Sequence, residues 1–473
     1  MIRKNETINT DVRLPLRTKH GYGAASIADT VVIDYVSSYF LFFLTDIVGI
    51  KPSLAGTVLM LGVLWDAVTD PIIGKSADDS HAPGGKYRRY VLLSIAPILI
   101  TLILLFTKVS FPGMGGFIYY VIIALMYYTA YTVFNIPYMA LGSSLTSNDS
   151  EKTKLSGIRQ SYGYAGAIFA CAMPAWLIDY FRSKGIEYGM CYTVTAVLLG
   201  LISALTIFIT WRSTKGYELE FPKPEKKISL IKSVKTVMSC KSFMLLIGSA
   251  LLFYTGCNMY ANGVLYAITG ILGFTESAAG GVYLVLSVVG LIMSYVLAGI
   301  AEKVDKKIVY VICVTISTAY MIYVKFAGID SLTDYYIYTV MTIFCEAAFL
   351  VFIYNFLYDV IDVLELKTGV RDSGTTFAYY SFVIKCGKAL GLQLIGIILD
   401  MGGYNPDIAV QEEAGKNAIL NVITLYPAAF FVVSLILILI YPVTAKKIKL
   451  VHQANEKRLN GEEYSLDGIE DIM

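Results

Sequence analysis

GVLWDAVTDPIIGKSADDSHAPGGKYRR, Gly62 to Arg89, begins inside an apolar run, carries aspartates at 66 and 70, and leaves through a polar loop of glycine, lysine and arginine. Four residues apart on a helix, the two carboxylates share one face, one turn above the other. A carboxylate within hydrocarbon costs about 3 kcal/mol even on lenient insertion scales, so such residues face a polar cavity or a partner. Two on one face point to a cation site, where hard oxygen ligands suit sodium or a proton. Two structural roles stand beside that one. Asp70, directly before Pro71, can satisfy backbone groups freed at the proline, and Asp66 can pair with a lysine to join two helices.

The rest of the chain places this stretch in a membrane. Of 473 residues, 56% are hydrophobic and 16% charged, a balance that a soluble domain of this length does not ordinarily carry. Hydrophobic runs of about 20 residues, enough to cross a bilayer, occupy 22–45, 52–75, 90–109, 115–142, 158–181, 188–211, 241–269, 277–299, 308–327, 334–362, 375–401 and 418–443. The expected fold class is an all-α membrane protein with twelve transmembrane helices in two six-helix bundles. The N-terminal bundle spans 22–211 and the C-terminal bundle 241–443, with a basic loop 212–240 between them, a polar segment 1–21 before and a charged tail 444–473 after. A six-plus-six arrangement is that of a transporter.

Most lysines and arginines fall in the connections on the side of the termini. Lys51, Lys108, Arg182, Lys184, Lys325 and Lys416 lie on the opposite side, and Lys385 and Lys388 within a span. The positive-inside rule therefore puts both termini in the cytoplasm and the protein in the cell membrane as a multi-pass chain. Segment 1–20 lacks the pattern of a signal peptide. The glycosylation patterns at Asn5 and Asn148 fall on the expected inner face and are discounted. Seven cysteines without a CxxC pair give neither a disulfide framework nor a zinc site.

The chain has no phosphate loop, no GxSxG elbow and no HExxH, and His20, His81 and His452 lie in polar segments. An ATP-driven pump and a membrane enzyme are disfavoured, and no cofactor, no catalytic residue and no metal beyond a coupling ion is expected. The expected partners are a small-molecule substrate and the bilayer, not nucleic acid, and the expected state is a monomer. Tyrosines number 36 against 3 tryptophans. A phenol offers a sugar ring a flat face and a polar handle, which suits Tyr128, Tyr131, Tyr138, Tyr379 and Tyr380, although most tyrosines belong to interfacial belts and packing. Gly163, Gly166, Ala167, Gly387, Gly391 and Gly396 are placed to let helices approach closely.

The loop after the second span, Gly74-Lys75-Ser76-Ala77-Asp78 with Gly85-Lys86-Tyr87-Arg88-Arg89, is matched in charge and glycine by Gly299 to Lys307 after the eighth. The pair resembles the cytoplasmic loop signature of the major facilitator superfamily, in which acidic and basic residues latch one bundle against another, and gives Asp78 a gating role. Four blocks carry a more specific resemblance: YFLFFLTDIVGI (39–50), WDAVTDPIIG (65–74), YTVFNIPYMALGSSLTSNDSEKTKLSGIRQ (131–160) and KTGVRDSGTTFAYYSFVIKCGKALG (367–391). They resemble the glycoside-pentoside-hexuronide:cation symporters, the melibiose permease-like family of that superfamily. The second and third blocks are specific in order and spacing; the first is an aromatic helix with a Thr-Asp exit.

What the resemblance implies is cation-coupled symport of a glycoside, pentoside or hexuronide into the cell by alternating access, driven by Na+ or H+, with Li+ a further candidate. Asp66 and Asp70 match the family's cation-binding carboxylates, and Thr132 a position beside them; a threonine bonded back to its own helix explains Thr132 equally. Asn135 replaces a sugar-binding carboxylate. It keeps the donors and acceptor of an amide but not the charge, and a cap for carbonyls opened by Pro137 is its alternative role. Of the helix-one acids Asp29 and Asp34, Asp29 is preferred for the substrate. Lys385 matches a lysine that reaches toward the carboxylate cluster, and Arg159 a gate arginine. Lys388 is additional, with Glu346 as a local counter-ion. The arginine that often precedes the first aspartate is Val63 here. A lipid or lysolipid transporter of the same fold, sharing the Asp pair, is the alternative function.

Overall fold

The computed structural model describes residues 14–80, 85–109, 111, 114–146, 149–218, 238, 240–301, 304–368, 373–408, 410–459, 462–469 and 472. Among them the structure is helical throughout, with twelve helices long and apolar enough to cross a bilayer. In chain order these are spans 1 to 12: Leu16–Ile47, Pro52–Ala77, Lys86–Leu105, Gly115–Gly142, Lys154–Ser183, Tyr188–Ser213, Lys241–Ile271, Glu276–Ser294, Lys306–Ala327, Leu332–Lys367, Thr376–Met401 and Glu413–Ile440. The count agrees with the sequence, but several helices outrun their apolar cores. Span 1 starts at Leu16 rather than 22, and span 10 continues past 362 through Glu365 to Lys367. A helix satisfies its backbone internally whether its side chains meet lipid or water, so nothing forces it to stop at the hydrocarbon boundary.

The chain forms two compact units, the first made of Met1–Lys223, Asn262–Ser287 and Leu392–Ile419, the second of Pro224–Ala261, Val288–Gly391 and Leu420–Met473. In the first, span 1 packs along spans 5 and 6, and span 2 along span 4. Lipid tails are as apolar as leucine, so packing, small residues and interhelical hydrogen bonds must hold these contacts. Gly62 shows the need for a small residue: a Cβ there would lie 2.4 Å from the Tyr128 ring. At Gly166 it would lie 3.1 Å from the Ile27 carbonyl oxygen. The Ala25 N–H donates to Thr210 Oγ1 (3.0 Å), whose own hydroxyl donates to the Gly21 carbonyl (2.6 Å), joining spans 1 and 6. Beyond them lies an aromatic core in which Tyr35 stacks on Phe106 (4.4 Å) and Phe43 meets Phe106 and Tyr192. Such pairs contribute about 1 kcal/mol each beyond area burial.

In the second unit, span 9 packs against spans 10 and 12. Phe253 stacks between Phe349 (4.4 Å) and Phe431 (4.6 Å), and the Ser249 and Ser434 hydroxyls meet at 2.8 Å. Gly387 and Gly391 lie against the backbone at Leu251 and Thr255. The charged tail contains a helix, Ala445–Leu459, docked on the end of span 10. His452 pairs with Asp362 (2.8 Å), Arg458 with Glu365 (3.0 Å), and the Asn455 amide donates to the Asp362 carbonyl (2.9 Å).

Among the described residues four helices contain a π-helical turn, at Phe43–Ile47, Ile168–Ala172, Ala267–Ile271 and Asn421–Leu425. Turns of this kind are concentrated at functional sites in helical proteins.

Candidate functional site

Asp66, Thr69 and Asp70 occupy i, i+3 and i+4 of span 2, the spacing that puts side chains on one face. Asp66 is 4% exposed and Asp70 half-buried. Facing them from span 4, Thr132 donates to Asp66 Oδ1 (2.7 Å) and lies 3.0 Å from the Thr69 hydroxyl. The same Thr132 oxygen is 2.9 Å from the Tyr128 carbonyl, so back-bonding and the carboxylate contact belong to one geometry. A hydroxyl has one proton but two lone pairs. The result is a buried group of hard oxygens around a carboxylate, the donor set of an alkali cation or of a proton carrier. Thr69 was the missed member, although its position between the two aspartates was visible in the sequence.

One face away, Asp29 of span 1 accepts from Asn135 Nδ2 (2.7 Å) and from the Tyr131 hydroxyl (3.0 Å). Tyr131 and Asn135 are one turn apart and meet the same oxygen, Asp29 Oδ1. Both hydrogen bonds fall on Oδ1, and Asp29 as a whole is half-buried. The Asn135 amide is therefore engaged by a carboxylate, not by carbonyls opened at Pro137. Arg159, half-buried on span 5, contacts the Met139 sulfur and stands within electrostatic reach of Asp29 and Tyr22. Tyr138 donates to the Tyr22 carbonyl (3.1 Å) and serves helix packing.

Tyr128 is buried between Gly62 and the Tyr127 ring, on the turn that carries Thr132. Asp34 is half-buried farther along span 1, within electrostatic reach of Tyr127 and Cys171. In the second unit, Lys385 and Lys388 are half-buried on span 11, and Tyr380 is buried with its ring edge-on to Tyr354 at 5.9 Å. Glu346, read as a partner for Lys388, accepts a hydrogen bond from the Tyr260 hydroxyl. The side chain of Asp78 lies outside the described residues.

Comparison with known proteins gives the family. The family model described as MFS/sugar transport protein matches residues 21–445. A glucuronide carrier protein homolog of Escherichia coli is 26% identical over 94% of this chain and 97% of its own length. An isoprimeverose transporter of Lactiplantibacillus pentosus is 25% identical over 94% and 92%. Among solved structures, a nucleoside transporter shares the fold with a TM-score of 0.63 at 14% identity, covering 90% of this chain and 98% of its own. The relatives are carriers and not enzymes, and so is this chain. Twelve membrane-spanning helices, a sugar-transport family match over nearly the whole length and the four sequence blocks make the chain a member of the glycoside-pentoside-hexuronide:cation symporters of the major facilitator superfamily.

Proposed function

We propose that this multi-pass membrane transporter carries a sugar, as glycoside, pentoside or hexuronide, into the cell together with Na+ or H+, Li+ being an alternative ion. The observation that supports coupling is the position of span 4. Consecutive residues Tyr131 and Thr132 reach different carboxylates, Tyr131 toward Asp29 and Thr132 toward Asp66. A ligand at either carboxylate restrains the same helical turn, so each favours the arrangement that the other binds. Linkage makes that effect reciprocal.

In this reading Asp66, Asp70 and Thr132 hold the cation, with Thr69 adding an oxygen. Asp29, Asn135 and Tyr131 hold sugar hydroxyls, and Tyr128 supports the turn that carries them. Lys385 and Tyr380 are the substrate residues of the second unit, and Lys388 and Glu346 its charge partners. Arg159, Asp34 and Asp78 govern conformation. Both termini face the cytoplasm, the division at loop 212–240 separates the two bundles, and the protein acts as a monomer.

The test is uptake of a panel of sugars by proteoliposomes under imposed sodium, lithium or proton gradients. Accumulation above the external concentration with one ion only is the expected result. Equal uptake with and without every gradient would show facilitated diffusion and remove the coupling assignment.

A further inference from the structure

The two compact units do not follow the six-plus-six division of the spans. Asn262–Ser287, from the end of span 7 into span 8, and Leu392–Ile419, from the end of span 11 into span 12, come from the second set of six and belong to the first unit. Each segment contains the connection that follows an odd-numbered span. With one crossing per span, every such connection lies on the membrane face opposite the N-terminus, and so do the connections after spans 1 and 5.

On that face the two segments close on spans 1, 2 and 5 along three seams, all within the first unit. Between spans 2 and 11 the backbones touch. A Cβ at Gly56 would lie 2.9 Å from the Leu392 carbonyl oxygen, and one at Gly396 would strike the Pro52 carbonyl and lie 3.3 Å from Gly56 Cα. At the end of this seam Ser53 donates to Asp400 Oδ2 (2.5 Å). Gln393 Nε2 reaches the Ser53 carbonyl (3.4 Å), and its Oε1 is buried in the seam. Between spans 5 and 8, a Cβ at Gly280 would lie 2.9 Å from the Ala172 carbonyl oxygen, in the π-helical turn of span 5. Beside it Tyr188, which opens span 6, donates to Glu276, which opens span 8. Between spans 1 and 7, the Tyr266 hydroxyl lies 2.9 Å from Thr45 Oγ1, and Tyr404, in the connection after span 11, donates to Asp46 Oδ1 (2.5 Å).

We propose that these three seams are a gate, closed in this structure, on the face opposite the termini, and that Gly56, Gly280 and Gly396 let it shut because they carry no side chain. A carrier has to open this face to load, so the gating role rests on the transport reading above.

The chemistry of the seams suits parts that separate and rejoin. Helices in lipid gain no hydrophobic stabilisation from one another, so close backbone approach and hydrogen bonds hold them, and both are lost once the backbones part by the width of a side chain. The polar pairs join a neutral hydroxyl to a carboxylate at the ends of spans. Water replaces either partner when the pair opens, so each bond adds little net stability to the closed form. At Gly56, Gly280 and Gly396 the obstacle to a Cβ includes backbone carbonyl oxygen, which no change of rotamer moves aside. A side chain added there is a wedge against closure.

Two measurements on the full-length protein test this. Gln393→Cys, in right-side-out and in inverted membrane vesicles, is treated with a membrane-impermeant maleimide, and the peptide that carries residue 393 is read by mass spectrometry. Adding Gly396→Val should raise its labelling about tenfold, and adding Asp400→Ala about threefold, each from the face opposite the termini alone. In the second measurement Ser53→Cys with Asp400→Cys is bridged by a short bis-methanethiosulfonate, with wild type treated alike as the reference. Uptake of a sugar that the carrier accepts should stop on bridging and return with reductant. Unchanged labelling in both variants, labelling that rises from the face of the termini, or uptake that persists in bridged protein overturns the gate. If Gly396→Val does not fold, Asp400→Ala decides the labelling result. Labelling needs no sugar, so the gate and the sugar assignment fail separately.

Discussion

The Asn135 amide lies 2.7 Å from Asp29 Oδ1, so span 4 presents a neutral donor where a second carboxylate would have met the first. Two carboxylates at that separation cannot both ionise, and one must keep a proton. Asn135→Asp is therefore expected to give sugar binding that weakens about tenfold as pH rises from 6 to 8, whereas the wild type stays nearly level. Asn135→Ala should weaken sugar binding at every pH and leave cation binding intact. Calorimetry on purified protein reads both, and equal loss of sugar and cation binding in Asn135→Ala would count against this role.

Thr132, on span 4, touches both the Asp66 carboxylate and the Thr69 hydroxyl of span 2. Thr132→Val keeps the shape and removes the hydroxyl, at a cost of about 1.5 kcal/mol, the lower end for a hydrogen bond to a charged group. The expected consequence is a tenfold weaker cation dependence of transport, with Thr132→Ser restoring most of it. A valine variant with wild-type ion activation would make the threonine a packing residue.

Asp66 and Asp70 are expected to act as one site. Asp66→Asn and Asp70→Asn should each abolish uphill accumulation and the stimulation of sugar binding by the cation, because a lost ion site leaves no ion effect on sugar affinity. Downhill exchange should survive in part, and the double variant should be little worse than either single one. Normal concentrative uptake by both single variants would falsify the assignment.

Glu151 lies ahead of span 5, 2% exposed. Its contact with Lys19 (2.5 Å) dominates, and Lys154 (3.1 Å) and the Leu14 N–H (3.2 Å) add to it against the opposing effect of burial. Together they hold its carboxyl at about 2, below the ordinary 4.5. A depressed carboxyl contributes stability that is fully present above 4.5 and is lost as pH falls toward 2. Glu151→Gln should therefore melt below the wild type at neutral pH, and the gap should close in acid. Thermal melts in detergent across that range decide it; a gap that stays constant with pH would remove the ionic contribution.

The spans were legible because bilayer thickness fixes their length and because apolar runs are long and punctuated by charge. Asp66 was legible as a buried charge for the same reason. What the linear pattern does not contain is rotation and register between helices. Whether Asn135 faces Asp29 or its own backbone depends on how span 4 lies against span 1, and small residues such as Gly166 and Gly62 set that packing only in three dimensions. Glu346 shows the same limit: the phenol of Tyr260 on span 7 donates to it, a contact that the linear order does not reveal. The Thr45-Asp46 exit read as the plain end of an aromatic helix, since Tyr266 and Tyr404 are remote in the chain. The tail read as a charged segment because its helix meets span 10 through polar side chains, His452 with Asp362 and Arg458 with Glu365, and carries few apolar ones.

That docked helix, Ala445–Leu459, also sets an order of assembly. During synthesis the N-terminal parts of a chain become available first, at about 5 to 20 residues per second. Span 10 emerges well before His452, Asn455 and Arg458, so its Asp362 and Glu365 end acquires these three contacts only after span 12 has been made. The charged helix thus works as a clasp, added by translation after span 12.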